Sequence, residues 1–315
     1  MGVCRKLMQR ILEMNISNIS IYFTLALLLV SGSQAVENKS PLYFSVPLTG
    51  EVFTTLIEGP VVDRHQNVYA VGFESSNGVG VVDKTGRVKL YVNLPDAGTP
   101  NALYIDKKGY MCFVDYTNHK IWKMNMSTRV FSVMAENKNM NQPNDIAFTS
   151  KGYAFASDPN WSNSNGNLWK ISPDGKTTCL ETNMGTTNGI EVSPDEKILY
   201  VAESVQRNIW AYDINSKGDI SSKRLLINFS ADSSDGMKCD IMGNLYLTRQ
   251  GRGCIAMISP QGKLLREIKL INKTPTNICF GGKDGKTAYV TCVTNDGKHG
   301  QIETFRTEFA GRKCR

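Results

Sequence analysis

The sequence predicts an all-β fold built from six similar units, and three observations lead to this prediction. One pattern recurs along the chain: a polar anchor residue, an apolar stretch, a tight turn and a second apolar stretch. Successive anchors are 43, 43, 44, 47 and 42 residues apart, and a period of about 40–50 residues is typical of a β-propeller. No stretch after residue 40 has the periodicity of an amphipathic helix. The anchors are Glu58, Asn101, Asn144, Asn188, Asp235 and Asn277.

Six periods predict a six-bladed β-propeller in which each anchor begins the inner strand of a blade. The pattern is clearest in the fourth unit, where Ser193 to Glu196 separate two strand-like apolar runs. Gly, Asp, Asn and Pro bound such runs throughout the chain. The predicted blades span approximately residues 58–94, 99–137, 142–183, 186–229, 233–270 and 274–305.

The run from Leu42 to Leu48 is strand-like but precedes the first anchor. The last unit has few residues left for a fourth strand, so we expect residues 42–48 to supply the outermost strand of the blade that begins at Asn277. This pairing by an N-terminal strand would close the propeller and remove two exposed sheet edges, which favour aggregation. All six inner strands would then surround one central channel.

The chain before the repeats has the composition of a secretory leader. Residues 1–35 combine a basic start, an apolar run over residues 21–30 and small residues near their end. This pattern predicts a signal peptide cleaved after Ala35, followed by one propeller domain over residues 36–315. The alternative is an uncleaved membrane anchor, although the apolar run is short for a spanning helix. We therefore expect a secreted, extracellular protein.

Export would bring the chain into an oxidising compartment that also attaches glycans. Eight cysteines are present, and removal of Cys4 with the leader would leave an odd number. We expect most of them to be buried, with one or two disulfides and at least one free thiol. Glycosylation sequons after the leader begin at Asn38, Asn125, Asn160, Asn228 and Asn272.

The charge pattern gives no sign of nucleic-acid binding. The formal net charge is +7, but the basic residues are spread out and form no stripe with interleaved aromatic residues. We expect a monomer that acts on a small-molecule substrate, with membrane association only if the leader is not cleaved.

Geometry places a second set of polar residues near the anchors. The inner strand of each blade leads away from the anchor, and the second strand returns, so its last residues should lie beside the anchors. We expect these residues to surround the mouth of the channel and bind substrate, together with Asn101 and Asn144. The predicted substrate contacts at the second-strand ends are Asp115, Asp158, Glu203 and Arg249.

The anchors are two carboxylates and four carboxamides, without His, Cys or Lys. An all-oxygen set with two negative charges suits Ca²⁺, which accepts about six to eight oxygens in irregular geometry. Glu58 and Asp235 would supply charge, whereas Asn144 and Asn188 would supply neutral oxygens. We therefore predict a calcium site. The alternatives are another divalent cation or a metal-free set of hydrogen-bonded polar side chains.

Any catalysis should depend on the metal and a carboxylate. His65, His119 and His299 are predicted in turns, hairpins and loops away from the anchors, and no Ser–His pattern or nucleophile elbow is present. The metal would polarise a carbonyl or phosphoryl oxygen, and Asp235 would act as base or nucleophile.

Four motifs resemble a known family of six-bladed propellers, the gluconolactonases, senescence marker proteins and luciferin-regenerating enzymes. The motifs are Glu58-Gly59-Pro60, Pro143-Asn144-Asp145, Thr187-Asn188-Gly189-Ile190 and Ser234-Asp235-Gly236-Met237. The resemblance covers about residues 40–306. It implies a channel calcium ion bound by Glu58, Asn188 and Asp235, with Asn144 as a fourth ligand or a substrate contact. It also implies that Asp235 is the catalytic carboxylate in the hydrolysis of lactones or, in related propellers, organophosphate esters.

Two features depart from the sugar-lactone enzymes of that family. Those enzymes carry an Arg two residues before the motif Asn144, where this chain has Gln142. The acidic Asp115 and Asp158 also disfavour an anionic sugar acid. The resemblance therefore implies a calcium-dependent lactone or ester hydrolase, whereas the two departures argue against an aldonolactone substrate. The alternative is an extracellular calcium-binding propeller that binds a ligand or partner without catalysis.

Overall fold

The computed structural model describes residues 41–312. The predicted leader, its cleavage after Ala35 and the sequon at Asn38 lie outside these residues. The described part contains 24 strands and two short 3-10 helices, and no α-helix is present within it. No helix of this part is long and apolar enough to cross a membrane. The predicted all-β class is confirmed.

The strands follow the short runs that the sequence pattern predicts. In chain order they are β1 (Val46–Pro47), β2 (Phe53–Val62), β3 (Val68–Phe73), β4 (Gly78–Val82), β5 (Val88–Asn93), β6 (Pro100–Ile105), β7 (Tyr110–Asp115), β8 (Lys120–Asn125), β9 (Phe131–Glu136), β10 (Ile146–Phe148), β11 (Ala154–Asn160), β12 (Asn165–Ile171), β13 (Thr177–Met184), β14 (Thr187–Val192), β15 (Ile198–Glu203), β16 (Asn208–Ile214), β17 (Ile220–Asn228), β18 (Ser233–Cys239), β19 (Leu245–Gln250), β20 (Cys254–Ile258), β21 (Leu264–Lys269), β22 (Thr274–Gly281), β23 (Thr287–Val293) and β24 (Gly300–Arg306). The 3-10 helices are Pro95–Ala97 and Trp161–Asn163.

Four sheets each contain four consecutive strands, β6–β9, β10–β13, β14–β17 and β18–β21. Within each sheet the strands pair in chain order and antiparallel. This up-and-down order is the arrangement of a propeller blade. The fifth sheet contains eight strands from both ends of the described chain, in the order β22-β23-β24-β2-β3-β4-β5 with β1 on β24.

The eight-stranded sheet consists of two groups of four strands. A single residue pair, Phe53 with Gly300, joins β2 to β24, whereas the other neighbouring strands of this sheet pair at several positions. β1 pairs antiparallel to β24 through Val46 with Thr304 and Pro47 with Glu303. Its pairing covers two residues, which is less than the predicted run of residues 42–48.

The core lies between the faces of neighbouring strand groups. The core contains six clusters of buried apolar side chains. Five of them combine residues from two strand groups that follow one another in the chain. The sixth combines residues from β2–β5 and β22–β24. In that last cluster, Phe53 and Val68 pack with Ile302. Complete burial of a side chain of this size stabilises the fold by about 1.5–3 kcal/mol, so the contacts between groups are a main source of stability.

The described cysteines and sequons differ in part from expectation. All six cysteines between residues 41 and 312 are free thiols, and five of them are buried, so this part of the chain contains none of the predicted disulfides. Asn228 is exposed. Asn272, in contrast, is only 4% exposed, and its Nδ2 donates to Glu303 Oε1 at 3.0 Å. The folded chain therefore does not offer Asn272 for glycosylation.

The segment after β24 crosses the ends of three inner strands, opposite to the anchors. The Arg312 N–H donates to the Cys239 carbonyl at 2.8 Å. Its guanidinium donates to the Phe148 carbonyl at 2.8 Å and to Glu191 Oε1 at 3.0 Å. The side chains of Arg312 and Glu191 are 5% and 4% exposed, so this ion pair is buried.

Replacement of Arg312 by Ala should destabilise the fold. Removing one partner of a buried ion pair leaves the other charge poorly compensated and costs about 3 kcal/mol or more. Urea unfolding measures this loss. The matched control is Arg87→Ala, because Arg87 forms an exposed ion pair with Asp83 that should contribute little. An equally small effect of both substitutions would contradict a structural role for Arg312.

Candidate active site

Five of the six anchors line one cavity of about 450 Å³. They are Glu58, Asn101, Asn144, Asn188 and Asp235. The sixth, Asn277, lies beside them, because its Nδ2 donates to Glu58 Oε2 at 3.0 Å. The structure thus brings together the residues that the sequence period selects.

The anchors are directed into the cavity by local irregularities of the sheets. In β2, β6, β14, β18 and β22, the pairing with the second strand shifts register at or next to the anchor. Such β-bulges bend a strand and redirect its side chains. The remaining anchor, Asn144, precedes β10, and its N–H donates to the Ser157 carbonyl of β11 at 2.9 Å.

Two glycines that follow anchors allow neighbouring inner strands to approach closely. A Cβ atom at Gly189 would lie 2.2 Å from the Asp235 carbonyl oxygen. A Cβ atom at Gly59, which has a φ of +49°, would lie 2.6 Å from the Asn101 carbonyl oxygen. Any larger residue would push the strands apart, so these glycines determine how close the anchors of adjacent strand groups lie.

The two anchor carboxyl groups have raised pKa values. Burial raises the pKa of Asp235 well above its usual range, and the nearby charge of Glu58 raises it further, while a hydrogen bond with Asn188 lowers it. Burial also raises the pKa of Glu58, against the hydrogen bonds from the Gly59 N–H and Asn277. Gln250 Nε2 donates to Asp235 Oδ2. A cation between the two groups would favour their ionised forms.

A second layer of charges lies further along the inner strands. Lys238 Nζ is 3.7 Å from Asp145 Oδ2 and 3.9 Å from Glu191 Oε2. Asn277 Nδ2 links this layer to the anchors, since it lies 3.5 Å from Asp145 Oδ2 as well as near Glu58. Arg312 Nη2 also lies 3.4 Å from Glu196 Oε1, so Lys238 and Arg312 together face three carboxylates, those of Asp145, Glu191 and Glu196.

The donor set fits a hard divalent cation. Its groups are carboxylate and amide oxygens, which Ca²⁺ prefers, and they line the same cavity. Residues 41–312 contain no group of three or more His, Cys, Asp or Glu side chains that could hold a metal ion. The candidate ligands do not form such a group, because only Glu58 and Asp235 among them are carboxylates and the others are asparagines.

Comparison with known proteins agrees with this geometry. A family model described as the SMP-30/Gluconolactonase/LRE-like region matches residues 56–294. The chain belongs to this family. The resemblance inferred from the four motifs is thereby confirmed.

Individual relatives match over part of their length. Gluconolactonase from Zymomonas mobilis is 32% identical over 224 residues, which cover 62% of this chain and 61% of that protein. Regucalcin from Bos taurus is 32% identical over 132 residues, 41% of this chain and 44% of that protein. The matched part therefore spans less than two thirds of either relative.

A solved structure supports the fold of the family. The crystal structure of regucalcin from Agrobacterium tumefaciens, described as a calcium-binding protein, superimposes with a TM-score of 0.75 and 19% identity. The match covers 88% of this chain and 98% of that chain. At this identity it shows that the two share a fold.

The four predicted substrate contacts at the second-strand ends have a different role in this chain. Asp115 and Asp158 are fully buried and do not line the cavity. Asp115 Oδ2 accepts from Trp122 Nε1 at 2.9 Å and Oδ1 accepts from the Thr99 N–H. Asp158 accepts from Trp169 Nε1 at 2.8 Å and from the backbone N–H groups of residues 141 and 142. Both carboxylates hold the loop that leads into their inner strand.

Glu203 and Arg249 hold loops in the same way. Glu203 accepts from the Gly185 N–H and from Asn208 Nδ2, each at 2.8 Å. Arg249 donates to the carbonyls of residues 231–233 and stacks on Phe229. The expectation that the four second-strand ends contact substrate is thus corrected, because their polar atoms are buried and satisfied by loop groups. Asn101 and Asn144 do line the cavity.

The residues that face the anchors lie one position further along the chain. Tyr116 follows Asp115 and lines the cavity. Ser204 follows Glu203 and accepts from Asn188 Nδ2 at 3.0 Å, and Gln250 follows Arg249 and donates to Asp235. Successive side chains at a strand end point to opposite faces. A prediction that is wrong by one residue therefore selects a side chain that contacts the loop instead of one that faces the anchors.

Proposed function

We propose that the chain is a calcium-dependent hydrolase of lactones or related esters. One observation carries the proposal: Glu58 and Asp235 converge with Asn144 and Asn188 in a single cavity. Family membership supports it, since relatives of this chain include proteins named gluconolactonase. We propose that the protein acts as a monomer on a small-molecule substrate.

Ca²⁺ is the cation that this donor set favours, with another divalent cation as the alternative. Glu58, Asn144, Asn188 and Asp235 would hold it, and the bound ion would polarise the carbonyl group of the substrate. Water would complete the coordination sphere.

Asp235 is the residue best placed to move a proton. Gln250 fixes one of its carboxylate oxygens, and the side chain borders the cavity. As base, it would take a proton from the water that attacks the acyl carbon and return a proton to the alkoxide that leaves. As nucleophile, it would attack the acyl carbon and displace the alkoxide, and water would then hydrolyse the resulting anhydride and restore the carboxylate. Asn101 lines the cavity, and we keep the prediction that it contacts the substrate.

A non-catalytic calcium-binding propeller is the second candidate. The solved structure of regucalcin is described as that of a calcium-binding protein, and this description is equally consistent with a non-catalytic function. A hydrolysis screen of the purified protein separates the two candidates: lactones, arylesters and phosphotriesters are each tested with calcium and with a chelator.

The two carboxylates should have separable roles. Asp235→Asn keeps the size and one oxygen ligand, so calcium binding should persist in part while turnover falls at least about 100-fold. Glu58→Gln removes a charge beside the ion, so calcium affinity should fall at least about tenfold, and excess calcium should partly restore turnover. Calorimetric calcium titration and hydrolysis assays measure both effects.

Asp115→Asn is the matched control, because Asp115 is a buried carboxylate outside the cavity. It should lower thermal stability but leave calcium affinity unchanged. Near wild-type turnover of Asp235→Asn at saturating calcium would show that the catalytic assignment is wrong. Absence of calcium binding by the wild-type protein at millimolar concentration would favour the metal-free alternative.

We further propose six blades, with β1 closing the ring on β24. The support is the series of six interfaces between strand groups and the pairing of β1 with β24. Ser45 Oγ adds a hydrogen bond of 2.7 Å to Glu303 Oε2.

Deletion of residues 36–50 should therefore abolish soluble expression of the chain 36–315, because it removes β1 and exposes a sheet edge. Deletion of residues 36–40 alone keeps β1 and serves as the control. Soluble yield and melting temperature are the measurements. Unchanged melting behaviour after the longer deletion would contradict closure by β1.

Export after cleavage at Ala35 is also proposed. The leader composition supports it, and burial raises the pKa of the Cys112 thiol to about 12 and raises those of Cys239, Cys279 and Cys292. Thiols of this kind react slowly with oxidants, so free cysteines are compatible with an oxidising compartment.

Expression in cells with a secretory pathway should release a chain that begins at Val36 and carries glycans on exposed sequons such as Asn228. A glycan on Asn160 is not expected, because the next residue, Trp161, lines the cavity. N-terminal sequencing and mass spectrometry of the medium test this prediction. A chain that begins at Met1 and sediments with membranes would support the anchor alternative.

A further inference from the structure

We propose that the substrate is a neutral lactone with an apolar or aromatic substituent, and that Trp161, Leu56 and Tyr116 bind this substituent. The proposal rests on the proposed hydrolase function, and it specifies the substrate class for that site. Three features of the cavity carry it: its charge, its exposed apolar side chains and the fixed position of Trp161.

No side chain in the described lining of the cavity offers a positive charge to an anionic substrate. Among the described residues that line it, none is Lys, Arg or His, and the only charged ones are Glu58 and Asp235. A divalent ion would neutralise these two. The nearby Arg249 is 2% exposed and is bound to backbone carbonyls. A substrate carboxylate, sulfonate or phosphate would therefore lose its hydration without gaining a cationic side chain as partner.

Large apolar side chains are exposed at the same cavity. Leu56 is 53% exposed and Trp161 is 40% exposed, and both border the cavity together with the half-buried Tyr116. They come from three consecutive strand groups. Exposed apolar surface next to a polar reaction centre is typical of a small-molecule binding site. Leu56 lies two residues before Glu58, so the apolar surface adjoins the proposed metal site.

The backbone of Trp161 is held in place before a ligand binds. It begins a 3-10 helix that Asn160 caps, with Asn163 N–H donating to the Asn160 side chain at 3.3 Å. Gln142 Nε2 donates to the Tyr116 hydroxyl at 2.8 Å, and its Oε1 accepts from the Trp161 N–H at 3.5 Å. Gln142 thus connects the two aromatic residues instead of contributing a charge at this opening. An aromatic side chain on a backbone that is already ordered needs little further ordering when it binds a ligand.

Three δ-lactones with the same ring distinguish the substrate classes: unsubstituted δ-valerolactone, δ-decalactone with its pentyl chain, and polyhydroxylated D-glucono-δ-lactone. With calcium present, kcat/KM should be at least about tenfold higher for δ-decalactone than for either of the others, since even one methylene in an apolar pocket changes this ratio about 10–200-fold. Trp161→Ala should remove this preference, because it should lower kcat/KM for δ-decalactone much more than for δ-valerolactone. Trp161→Phe should keep part of it.

Leu225→Ala is the control for loss of an exposed apolar side chain outside the cavity, because Leu225 is 50% exposed in β17. It should preserve the preference. A higher kcat/KM for D-glucono-δ-lactone, or an equal loss for all three lactones in Trp161→Ala, would overturn the inference.

Binding of non-hydrolysable analogues tests the inference apart from catalysis. The lactam analogue of δ-decalactone should bind the wild-type protein at least about tenfold more tightly than δ-valerolactam, and Trp161→Ala should abolish the difference. If no lactone is hydrolysed but this binding preference is found, the hydrolase function fails while the ligand class is retained. If hydrolysis is found without any preference for the apolar substituent, the function stands and the inference fails.

Discussion

Two buried carboxylates that face one cavity are the feature on which the rest of this structure depends. Glu58 and Asp235 come from strands of different sheets, and burial together with their mutual repulsion raises the pKa of Asp235. Such an arrangement is unfavourable unless the charges are compensated. In the second layer, Lys238 and Arg312 pair with Asp145, Glu191 and Glu196. Compensation of the two anchor carboxylates is why a divalent cation is the centre of the proposed function.

The fold brings these carboxylates together by local means. Bulges at the inner strands direct the anchors inward, and Gly189 lets its strand approach the Asp235 backbone. Buried residues at the second-strand ends, such as Asp158, hold the loops that lead into the inner strands. Opposite to the anchors, Arg312 contacts three inner strands or their ends. The site is thus a consequence of repeated sheet geometry more than of any single loop.

The sequence predicted the features that repeat and failed where tertiary contacts decide. The 40–50-residue period was sufficient to identify the strands and anchors such as Glu58 and Asp235, because each unit needs the same polar residue at the same place. The period could not decide whether Arg249 or Gln250 faces the anchors, because adjacent residues at a strand end point to opposite faces. Which of the two is buried depends on the neighbouring loop. The crossing of Arg312 involves contacts more than 100 residues apart in the chain, and no local pattern reports these. Trp161 lies in a loop insertion, where the repeat gives no guidance.

A crystal structure of the protein grown with calcium, with the ion located by anomalous diffraction, tests the central claim most directly. The predicted result is one ion per chain in the cavity, with oxygens of Glu58, Asn144, Asn188 and Asp235 at about 2.3–2.6 Å. A cavity without an ion at millimolar calcium, or an ion bound elsewhere while these four side chains bond only to one another, would contradict it.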